Sequence, residues 1–485
     1  MRLSTRVAYN TIIQTASKVI ATVLGLFSIA LMTRYLGASG FGQYTTIITF
    51  LSFFAIIADF GLTLVTVQLT SHKGADEKKI LNNLLSFRLL SALIFIGIGP
   101  LAVFFFPYQS AVKIGVLISS LSFFFIALNQ IFVGLFQRHL RMDKVSIAEV
   151  AGRIALLLGI YFASSRNYGL YGILAATVIS SAISFFLHFM FSRRLVRIKL
   201  EFDWGLWKEI IIKSWPLALT ITFNLLYLKT DTLILSLIKS QAEVGIYGAA
   251  YKVIDVLITL PFLFSGIILP ILTLAWSEGN KENFKKVLQK SFDIMAILAF
   301  PLVAGAWMIS SETMELVAGR DFLAAGPALN ILMMAAGAIF LGNIFAHAII
   351  AIDKQKSILP AYIFTALSSV AGYLLFIPRY SYFGAAWVTV YSEVLIAFSS
   401  FYIVWRFTGF RMNWKVLAKS FFAAALMYAF LAWLGEINLF LKMFAGVLSY
   451  FTILYLLKGI TKDDLLILKN RELPAPVAGD INKIP

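Results

Sequence analysis

The stretch from Ile12 to Leu31 reads IIQTASKVIATVLGLFSIAL and contains one charged side chain, Lys18. About 20 mostly apolar residues are what an α-helix needs to cross the hydrocarbon core of a bilayer. Arg2 and Arg6 precede the stretch, as basic residues precede a secretory signal peptide. The stretch is longer than the apolar region of a signal peptide, however, and no convincing cleavage site follows it. We therefore predict that it is retained as the first membrane-spanning helix.

The composition of the whole chain extends this prediction. Of its 485 residues, 60% are hydrophobic and 13% are charged, and the mean hydropathy is +0.86. A soluble domain carries about 25% charged residues, because the surface that faces water has to be polar. The composition therefore excludes a soluble enzyme, a disordered chain and a nucleic-acid-binding domain, and it indicates a polytopic membrane protein.

Further apolar stretches of spanning length follow the first, separated by short polar breaks. Lipid offers the backbone no hydrogen-bonding partner, so each stretch is expected to be a helix. We predict an all-α fold with fourteen membrane-spanning helices. Their expected positions are residues 10–34, 42–68, 81–105, 111–136, 146–163, 168–191, 214–238, 244–272, 291–310, 327–350, 357–377, 382–404, 416–434 and 438–457.

Basic residues are distributed unequally between alternate breaks. The net charge is +17, and if the N-terminal end is cytoplasmic, 28 of the 41 Lys and Arg residues lie in cytoplasmic segments and 6 in outside segments. An excess of Lys and Arg marks the cytoplasmic side of a membrane protein. We therefore expect a multi-pass protein of the inner or plasma membrane with both termini in the cytoplasm. Most of these loop charges are interpreted as topology and headgroup anchors rather than as a binding patch.

Three short patterns recur in the same order at offsets of 203, 207 and 212 residues. The matched segments are Phe41–Tyr44 with Val244–Tyr247, Lys78–Leu81 with Lys285–Leu288, and Gly172 and Thr177–Val178 with Gly384 and Thr389–Val390. Collinear matches of this kind indicate a duplicated unit, here of six helices. Since each unit has an even number of spans, the two are expected to lie parallel, related by a pseudo-twofold axis along the membrane normal. The substrate path is then expected at the interface between the halves.

The repeat also sets the predicted domain boundaries. Residues 1–192 are predicted to form an N-terminal six-helix lobe, and residues 214–405 a C-terminal six-helix lobe. Residues 193–213 mix aromatic and charged side chains, which predicts a linker helix lying in the cytoplasmic interface of the membrane. Residues 406–485 are expected to form two additional helices and a cytoplasmic tail.

Motifs of the common enzyme classes are missing from the sequence. It contains no cysteine, no phosphate-binding loop, no HExxH pattern and no Asp-x-Asp pair, and no break is long enough for a catalytic domain. We therefore expect a protein that is not an enzyme and that binds no cofactor or metal. Among the four histidines, only His347 is expected inside a span, where a packing or helix-end role and a proton relay are the alternatives.

Eleven charged residues fall inside the predicted spans. Even on lenient insertion scales, a charge near the bilayer centre costs about 2.5–3.5 kcal/mol, so such residues face protein or a water-filled cavity. They are the candidates for function, and structural ion pairs are the alternative for each one. The eleven are Lys18, Asp59, Arg88, Glu149, Arg153, Lys229, Asp231, Lys252, Asp255, Asp293 and Glu393.

Some of these charges have an expected local partner. Glu149 and Arg153 are four residues apart, and Lys252 and Asp255 are three apart, so each pair can close on one helix face. Asp293 lies in the first turn of its span, where the helix dipole stabilises a carboxylate.

The remaining charges need partners on other helices. Lys229 and Asp231 are two residues apart and point to different sides of their helix. From its expected depth, Lys18 is predicted to pair with Asp59, which leaves Arg88 without a partner.

We predict that surplus cations line a cavity that binds an anionic group such as phosphate or pyrophosphate. The predicted cationic residues are Lys18, Arg88, Arg153, Lys229 and Lys252. Buried carboxylates suit coupling to protons or sodium ions. The candidates for coupling are Asp59, Asp231, Asp255 and Glu393.

Two groups of motifs resemble a known family. RYLG at Arg34–Gly37 and FGQY at Phe41–Tyr44, followed by ADFGL at Ala58–Leu62, resemble the opening of the polysaccharide-export flippases. These are the O-antigen and repeat-unit transporters of the multidrug/oligosaccharidyl-lipid/polysaccharide superfamily. VGIYGAAYK at Val244–Lys252 resembles the matching signature in the second half of these proteins. The resemblance extends over essentially the full length.

The resemblance implies a two-lobed, V-shaped transporter that moves an undecaprenyl-pyrophosphate-linked oligosaccharide from the cytoplasmic to the outer leaflet by alternating access. It further implies an ion gradient as the driving force, and the lipid bilayer and other polysaccharide-assembly proteins as partners, with no role for nucleic acid. The motif residues that carry over are Gly42, Tyr44, Asp59, Gly245, Tyr247 and Lys252. The glycines are expected to allow close helix approach.

Other functions stay open at this point. A cation-drug exporter of the same superfamily would need an acidic or aromatic cavity, which the surplus of Lys and Arg disfavours. The lipid II flippase of peptidoglycan assembly is chemically closer, but its N-terminal pattern is not evident. A polymerase or ligase would need a large outside loop, and a purely structural membrane protein would not need the buried charges.

Overall fold

The computed structural model describes residues 3–59, 62, 76–193, 195 and 199–460, and across these residues the regular structure is helical with no strand. Several predicted features lie outside the described residues. These are the end of the expected second span with most of the break that follows it (residues 60, 61 and 63–75), parts of the 193–213 linker, and the tail from residue 461 onward.

Fourteen helical elements follow one another along the described chain. They are α1 (Leu3–Asp59), α2 (Glu77–Ser91), α3 (Gly97–Ala102), α4 (Ser110–Arg138), α5 (Met142–Ser165), α6 (Gly169–Ser192), α7 (Trp204–Ile238), α8 (Gln241–Leu257), α9 (Thr259–Ser277), α10 (Lys281–Ala318), α11 (Gly326–Ala351), α12 (Gln355–Thr408), α13 (Lys415–Leu434) and α14 (Leu439–Leu456). A π-helical turn, Ala92–Ile96, joins α2 to α3, and a short 3₁₀ turn, Arg320–Ala325, precedes α11.

The all-α, multi-pass architecture predicted from the sequence is confirmed. Among the described residues, eleven helices are long and apolar enough to cross a membrane, so the number fourteen stays a prediction. Two of the three differences arise because α1 and α12 each contain two of the expected spans, and the third is the expected span 214–238, which lies in α7 and is not among the eleven. A straight helix of the length of α1 would extend roughly 85 Å. Each of the two helices is broken by a residue with positive φ, Gly37 (φ 63°) in α1 and Ser381 (φ 52°) in α12.

The linker is described at residues 193, 195 and 199–213, and its position in the membrane interface stays a prediction. Its second part is the beginning of α7, a single helix that runs on to Ile238. Residues 199–203 lie along α2, where Asn82 accepts from the backbone amide of Lys199 (3.0 Å) and Asn83 accepts from that of Asp203 (2.6 Å). These side chains replace the hydrogen bonds that the extended segment cannot make to itself. The linker is therefore bound to the first half of the molecule.

The first turns of α7 are also packed on the first half. Trp207 and Ile210 are buried against Leu84 of α2, and the Trp207 ring meets Phe87 edge to face at 5.3 Å. Helix α7 therefore begins on one half of the molecule and continues into the other.

The two halves of the sequence repeat meet where α1 crosses α8. A Cβ atom added to Gly42 would overlap the carbonyl oxygen of Gln241, and one added to Gly245 would overlap the carbonyl oxygen of Ala38. Each carbonyl belongs to the residue four positions before the opposite glycine, so the contact is the same from either side. Only residues without a side chain allow two helix backbones to approach so closely.

Helices α13 and α14 pack on the second half, outside the repeat. Tyr450 of α14 donates a hydrogen bond to the carbonyl oxygen of Ile297 in α10 (2.8 Å), and the Lys442 ammonium lies 3.3 Å from the Glu312 carboxylate. This ion pair fixes α14 against α10.

Candidate functional site

A cavity of about 780 Å³ lies between the two halves of the molecule. Helices α1, α4, α5 and α6 form one wall, and α8 and α9 contribute the other. The charged residues of its lining are Lys18, Glu149, Arg153, Lys252 and Asp255. Three cations and two carboxylates leave one positive charge in surplus among the described lining residues.

The charges are arranged in two groups. In the first half, Lys18 and Arg153 are exposed to the cavity, and both act electrostatically on the carboxylate of Glu149 without a direct ion pair. The local Glu149–Arg153 pair expected from the sequence therefore does not close. In the second half, the Lys252 ammonium lies 3.4 Å from the Asp255 carboxylate, as the spacing predicted. The first group consequently keeps two cations that are only partly neutralised.

The first-half wall of the cavity is rich in hydroxyl and amide groups. Ser180 and Ser184 of α6 donate to backbone carbonyl oxygens of α5 (2.7 and 3.0 Å), so their oxygen atoms can still accept hydrogen bonds from the cavity. Two buried lining atoms, Oδ1 of Asn129 and Nε2 of His188, have no hydrogen-bonding partner within the described chain. This wall can exchange hydrogen bonds with a polyhydroxylated ligand.

Arg88 does not line this cavity. Its side chain is 2% exposed, and its guanidinium lies 2.6 Å from the Asp59 carboxylate and donates to the carbonyl oxygens of Ala58 and Ala127. The predicted Lys18–Asp59 pair is therefore wrong, and so is the expectation that Arg88 lacks a partner. Asp59 ends α1 beside α2 and α4, whereas Lys18 lies in the other part of α1 and faces the cavity.

Lys229 also lies outside the lining of the main cavity. Its ammonium sits 5.0 Å from the centre of the Tyr251 ring, a cation–π contact, and it acts electrostatically on Asp231. Two of the five cations predicted to line one cavity are thus placed elsewhere.

Asp231 is fully buried in a network of hydroxyl groups. Tyr247 donates to its Oδ2 (2.7 Å), and the backbone amide of Thr232 donates to its Oδ1 (2.5 Å). The Tyr247 and Tyr373 hydroxyls each lie 3.4 Å from the hydroxyl of Thr389. The roles of Tyr373 and Thr389 were not predicted, although Thr389 belongs to the sequence repeat.

The two tyrosines of the repeat have different surroundings. Tyr44 lines the main cavity, whereas its counterpart Tyr247 binds the buried Asp231. Equivalent positions of the repeat therefore have different chemical surroundings in the two halves.

Glu393 lies in a second cavity, of about 390 Å³, inside the second half. Its side chain is 6% exposed, and its Oε1 atom has no hydrogen-bonding partner within the described chain. His347, Asn343, Tyr227 and Tyr362 also line this cavity.

Comparison with protein families supplies the wider context. Residues 7–276, more than half of the chain, match the family described as "Polysaccharide biosynthesis protein".

Similar proteins and structures agree with this match. The chain is 24% identical to the "Probable low-salt glycan biosynthesis flippase Agl15" of Haloferax volcanii, covering 90% of this chain and 93% of that protein. Its fold is similar to that of "Lipid II flippase MurJ, inward closed conformation" (TM-score 0.77, 14% identity, 95% and 100% of the two chains). It is also similar to an inward-facing multidrug resistance MATE family transporter (TM-score 0.68, 15% identity, 82% and 98%).

Proposed function

Because the chain belongs to the polysaccharide biosynthesis protein family, we propose that it is a flippase for a lipid-(pyro)phosphate-linked oligosaccharide. The substrate moves from the cytoplasmic to the outer leaflet of the cell membrane, and both termini of the chain are cytoplasmic. The observation that carries the proposal is the cavity between the two halves, which holds a surplus of positive charge and, on the wall that carries Lys18 and Arg153, many hydroxyl and amide groups.

The cavity suits the two polar parts of such a substrate. Lys18 and Arg153 attract the diphosphate, since guanidinium and ammonium groups form charge-assisted hydrogen bonds to phosphate oxygens. Asn129, His188 and the serines of α6 offer acceptors and donors to the sugar hydroxyls. The lipid tail stays in the bilayer beside the cavity, where no polar group has to be buried.

Contacts at one end of the molecule close the cavity between the halves. Besides the Gly42–Gly245 crossing, Thr46 donates to the Gln241 side chain (2.8 Å), and Arg34 donates to the carbonyl oxygen of Leu316 (2.6 Å). The distribution of basic residues assigns this end to the outer side of the membrane. Rocking of the halves breaks these contacts and opens the cavity outward, as in alternating access.

An ion gradient drives the cycle. The candidate coupling residues remain Asp59, Asp231, Asp255 and Glu393, with a proton or sodium as the ion. These carboxylates have different partners and are therefore not equally suited to bind and release an ion. A carboxylate held in an ion pair has to give up its partner first, which costs free energy.

The alternative substrates are lipid II and organic cations. Lipid II shares the diphosphate, the sugar and the polyprenyl tail, so the same cavity suits it. A lipophilic cation is disfavoured by the positive surplus of the lining. The likeness to lipid II and multidrug transporters concerns the fold.

Transport in proteoliposomes tests the proposal. The full chain is reconstituted with undecaprenyl-pyrophosphate-linked oligosaccharide, and a membrane-impermeant sugar-modifying enzyme measures the fraction that crosses the bilayer. We expect crossing to fall at least tenfold for Lys18→Ala with Arg153→Ala, and to be unchanged for Lys281→Ala, a cation exposed at the start of α10 and outside the cavity. Unchanged crossing in the double variant, or no crossing by the unmodified protein, contradicts the proposal. Lipid II in the same assay decides between the two glycolipids.

A further inference from the structure

The four candidate coupling carboxylates differ in what surrounds them. Asp59 is 2.6 Å from an arginine, and Asp255 is 3.4 Å from a lysine. Asp231 accepts hydrogen bonds from a tyrosine hydroxyl and a backbone amide. Glu393 is 6% exposed, and its Oε1 atom has no hydrogen-bonding partner among the described residues. It is therefore the carboxylate whose charge the described protein leaves uncompensated.

Glu393 occupies the middle of the second part of α12, between the break at Ser381 and the end of the helix at Thr408. The lining of its cavity contains no Lys, Arg or Asp among the described residues. The titratable side chains that face Glu393 from the surrounding helices are Tyr227 of α7, Tyr251 of α8, His347 of α11, and Tyr362 and Tyr373 of α12. All are neutral or weakly basic groups, so a buried carboxylate here has to take up a proton or a cation to become stable.

His347 of α11 lines the same cavity. Its Nδ1 atom is 2.9 Å from the carbonyl oxygen of Asn343, and since a carbonyl only accepts, Nδ1 carries the hydrogen. The lone pair of the neutral ring is then on Nε2, which makes no hydrogen bond with the described residues and can accept a proton.

The cavity extends from Glu393 to one end of the helices. Gln355, the first residue of α12, belongs to its lining and follows the turn that contains the exposed Asp353. The cavity therefore connects a buried carboxylate at mid-depth with a polar helix end, and the imidazole lies on its wall.

We propose that Glu393 binds and releases a proton in each transport cycle, and that His347 passes this proton between Glu393 and the polar end of the second cavity. A proton is favoured over a metal cation because the second titratable group of the cavity is an imidazole, whose neutral Nε2 atom accepts a proton near physiological pH. The proposal rests on the proposed function in that the proton drives transport.

Only one half of the molecule carries this group. At the repeat offset of 212 residues, Glu393 corresponds to Ser181, which lines the main cavity and donates to backbone carbonyls of its own helix. The proposed proton site therefore belongs to the second half, whereas the equivalent position in the first half lines the substrate cavity.

Glu393 is also connected to the contact between the halves. Thr389 precedes it by one turn of α12 and lies 3.4 Å from the hydroxyl of Tyr247, which follows the crossing glycine Gly245 by two residues. Glu393 therefore lies on α12, which contacts α8, the helix that crosses α1 between the halves. A change of charge on Glu393 can act on this crossing through α12.

Infrared difference spectroscopy of the full chain in lipid nanodiscs tests the proton site directly. On acidification, the unmodified protein should gain the carbonyl stretching band of a protonated carboxyl group, and Glu393→Gln should lose at least half of this band. Glu312→Gln, which changes a carboxylate ion-paired with Lys442 outside the lining of both cavities, is the matched control and should keep the band. For His347→Gln the band should be retained but should appear at least tenfold more slowly after a pH jump.

Three results would overturn the proposal. They are a full band in Glu393→Gln, a band that does not respond to pH, and a band that sodium removes at constant pH, which would make the site a cation site. If Glu393→Gln does not fold, Glu393→Asp provides the measurement, because a changed carboxyl environment shifts the band.

A transport assay separates this proposal from the proposed function. In proteoliposomes with undecaprenyl-pyrophosphate-linked oligosaccharide, an imposed pH gradient should raise the crossing rate of the unmodified protein at least fivefold, and Glu393→Gln should lose this response. Crossing that ignores the pH gradient contradicts the proton site and leaves the flippase function standing. No crossing at all contradicts the flippase function, while the infrared band still decides the proton site.

Discussion

Gly42 and Gly245 lie against each other's helix in a reciprocal contact. A Cβ atom on Gly42 would come within 3.0 Å of the Gly245 amide nitrogen, and one on Gly245 within 2.9 Å of the Gly42 amide nitrogen. The two residues are 203 positions apart, the offset of the first pair of repeated motifs. The contact between the halves therefore joins equivalent positions of the repeat, as expected for two units related by a pseudo-twofold axis.

Gly42→Ala should weaken the closed end of the molecule. The added methyl group meets backbone atoms, which cannot move aside like a side chain, and overpacking of this kind costs about 1–3 kcal/mol. We expect a lower thermal unfolding temperature in detergent. Gly266→Ala is the control, since a Cβ atom there meets no atom within 4 Å. Equal unfolding temperatures of the two variants would contradict the close approach.

Arg34→Gln should make the cavity accessible from the closed end. The guanidinium of Arg34 binds the carbonyl oxygens of Leu316 and Val317 at the end of α10 (2.6 and 3.3 Å) and so connects the halves. The chain has no cysteine, so Gly25→Cys places a single thiol in the cavity lining. A membrane-impermeant maleimide applied from the outside should label it several times faster in the Arg34→Gln background. Arg166→Gln, an exposed cation over the ring of Phe162, serves as the control and should leave the labelling rate unchanged.

Arg88→Leu should destabilise the protein without a direct effect on substrate binding. Removing one partner of a buried ion pair leaves the other charge uncompensated, which costs about 3–5 kcal/mol. Expression level and unfolding temperature should fall, and Arg88→Leu combined with Asp59→Leu should recover much of the loss. A stable Arg88→Leu protein with impaired transport would instead indicate that Arg88 contacts the substrate.

The contact between the linker and α2 should respond to acid. The Lys79 ammonium, 2.6 Å from Asp203, holds the pKa of that carboxyl below its ordinary value. Because the pKa in the folded protein is the lower one, the stabilisation is fully present above the pKa of the unfolded chain and is lost as the pH falls through the folded value. The unfolding temperatures of the unmodified protein and Asp203→Asn should therefore differ at neutral pH and converge in acid. A difference that grows on acidification would show that Asp203 is not held in this way.

The sequence was sufficient for the helical, multi-pass architecture because hydropathy and span length are local properties of the chain. It also identified Lys252 with Asp255, since a spacing of three residues places both side chains on one helix face. Ion pairs between different helices were harder to predict from the sequence. Asp59 and Lys18 were matched by expected depth, but depth does not say which way a helix face points, and the true partner of Asp59 is Arg88.

The second cavity shows the same limit. Glu393 was recognised as a buried charge, yet its neighbourhood with His347 depends on how α11 and α12 pack, and the two residues are 46 positions apart. The break at Ser381 falls between the expected spans 357–377 and 382–404, but its backbone geometry was not predictable, because serine carries no strong signal for positive φ.

The path of α7 determines which part of the molecule has to deform when the halves move. Its first turns are fixed to α2 by Trp207 and Ile210, while the rest of the helix belongs to the second half. In the proposed rocking of the halves, a continuous helix rather than a flexible linker therefore has to bend.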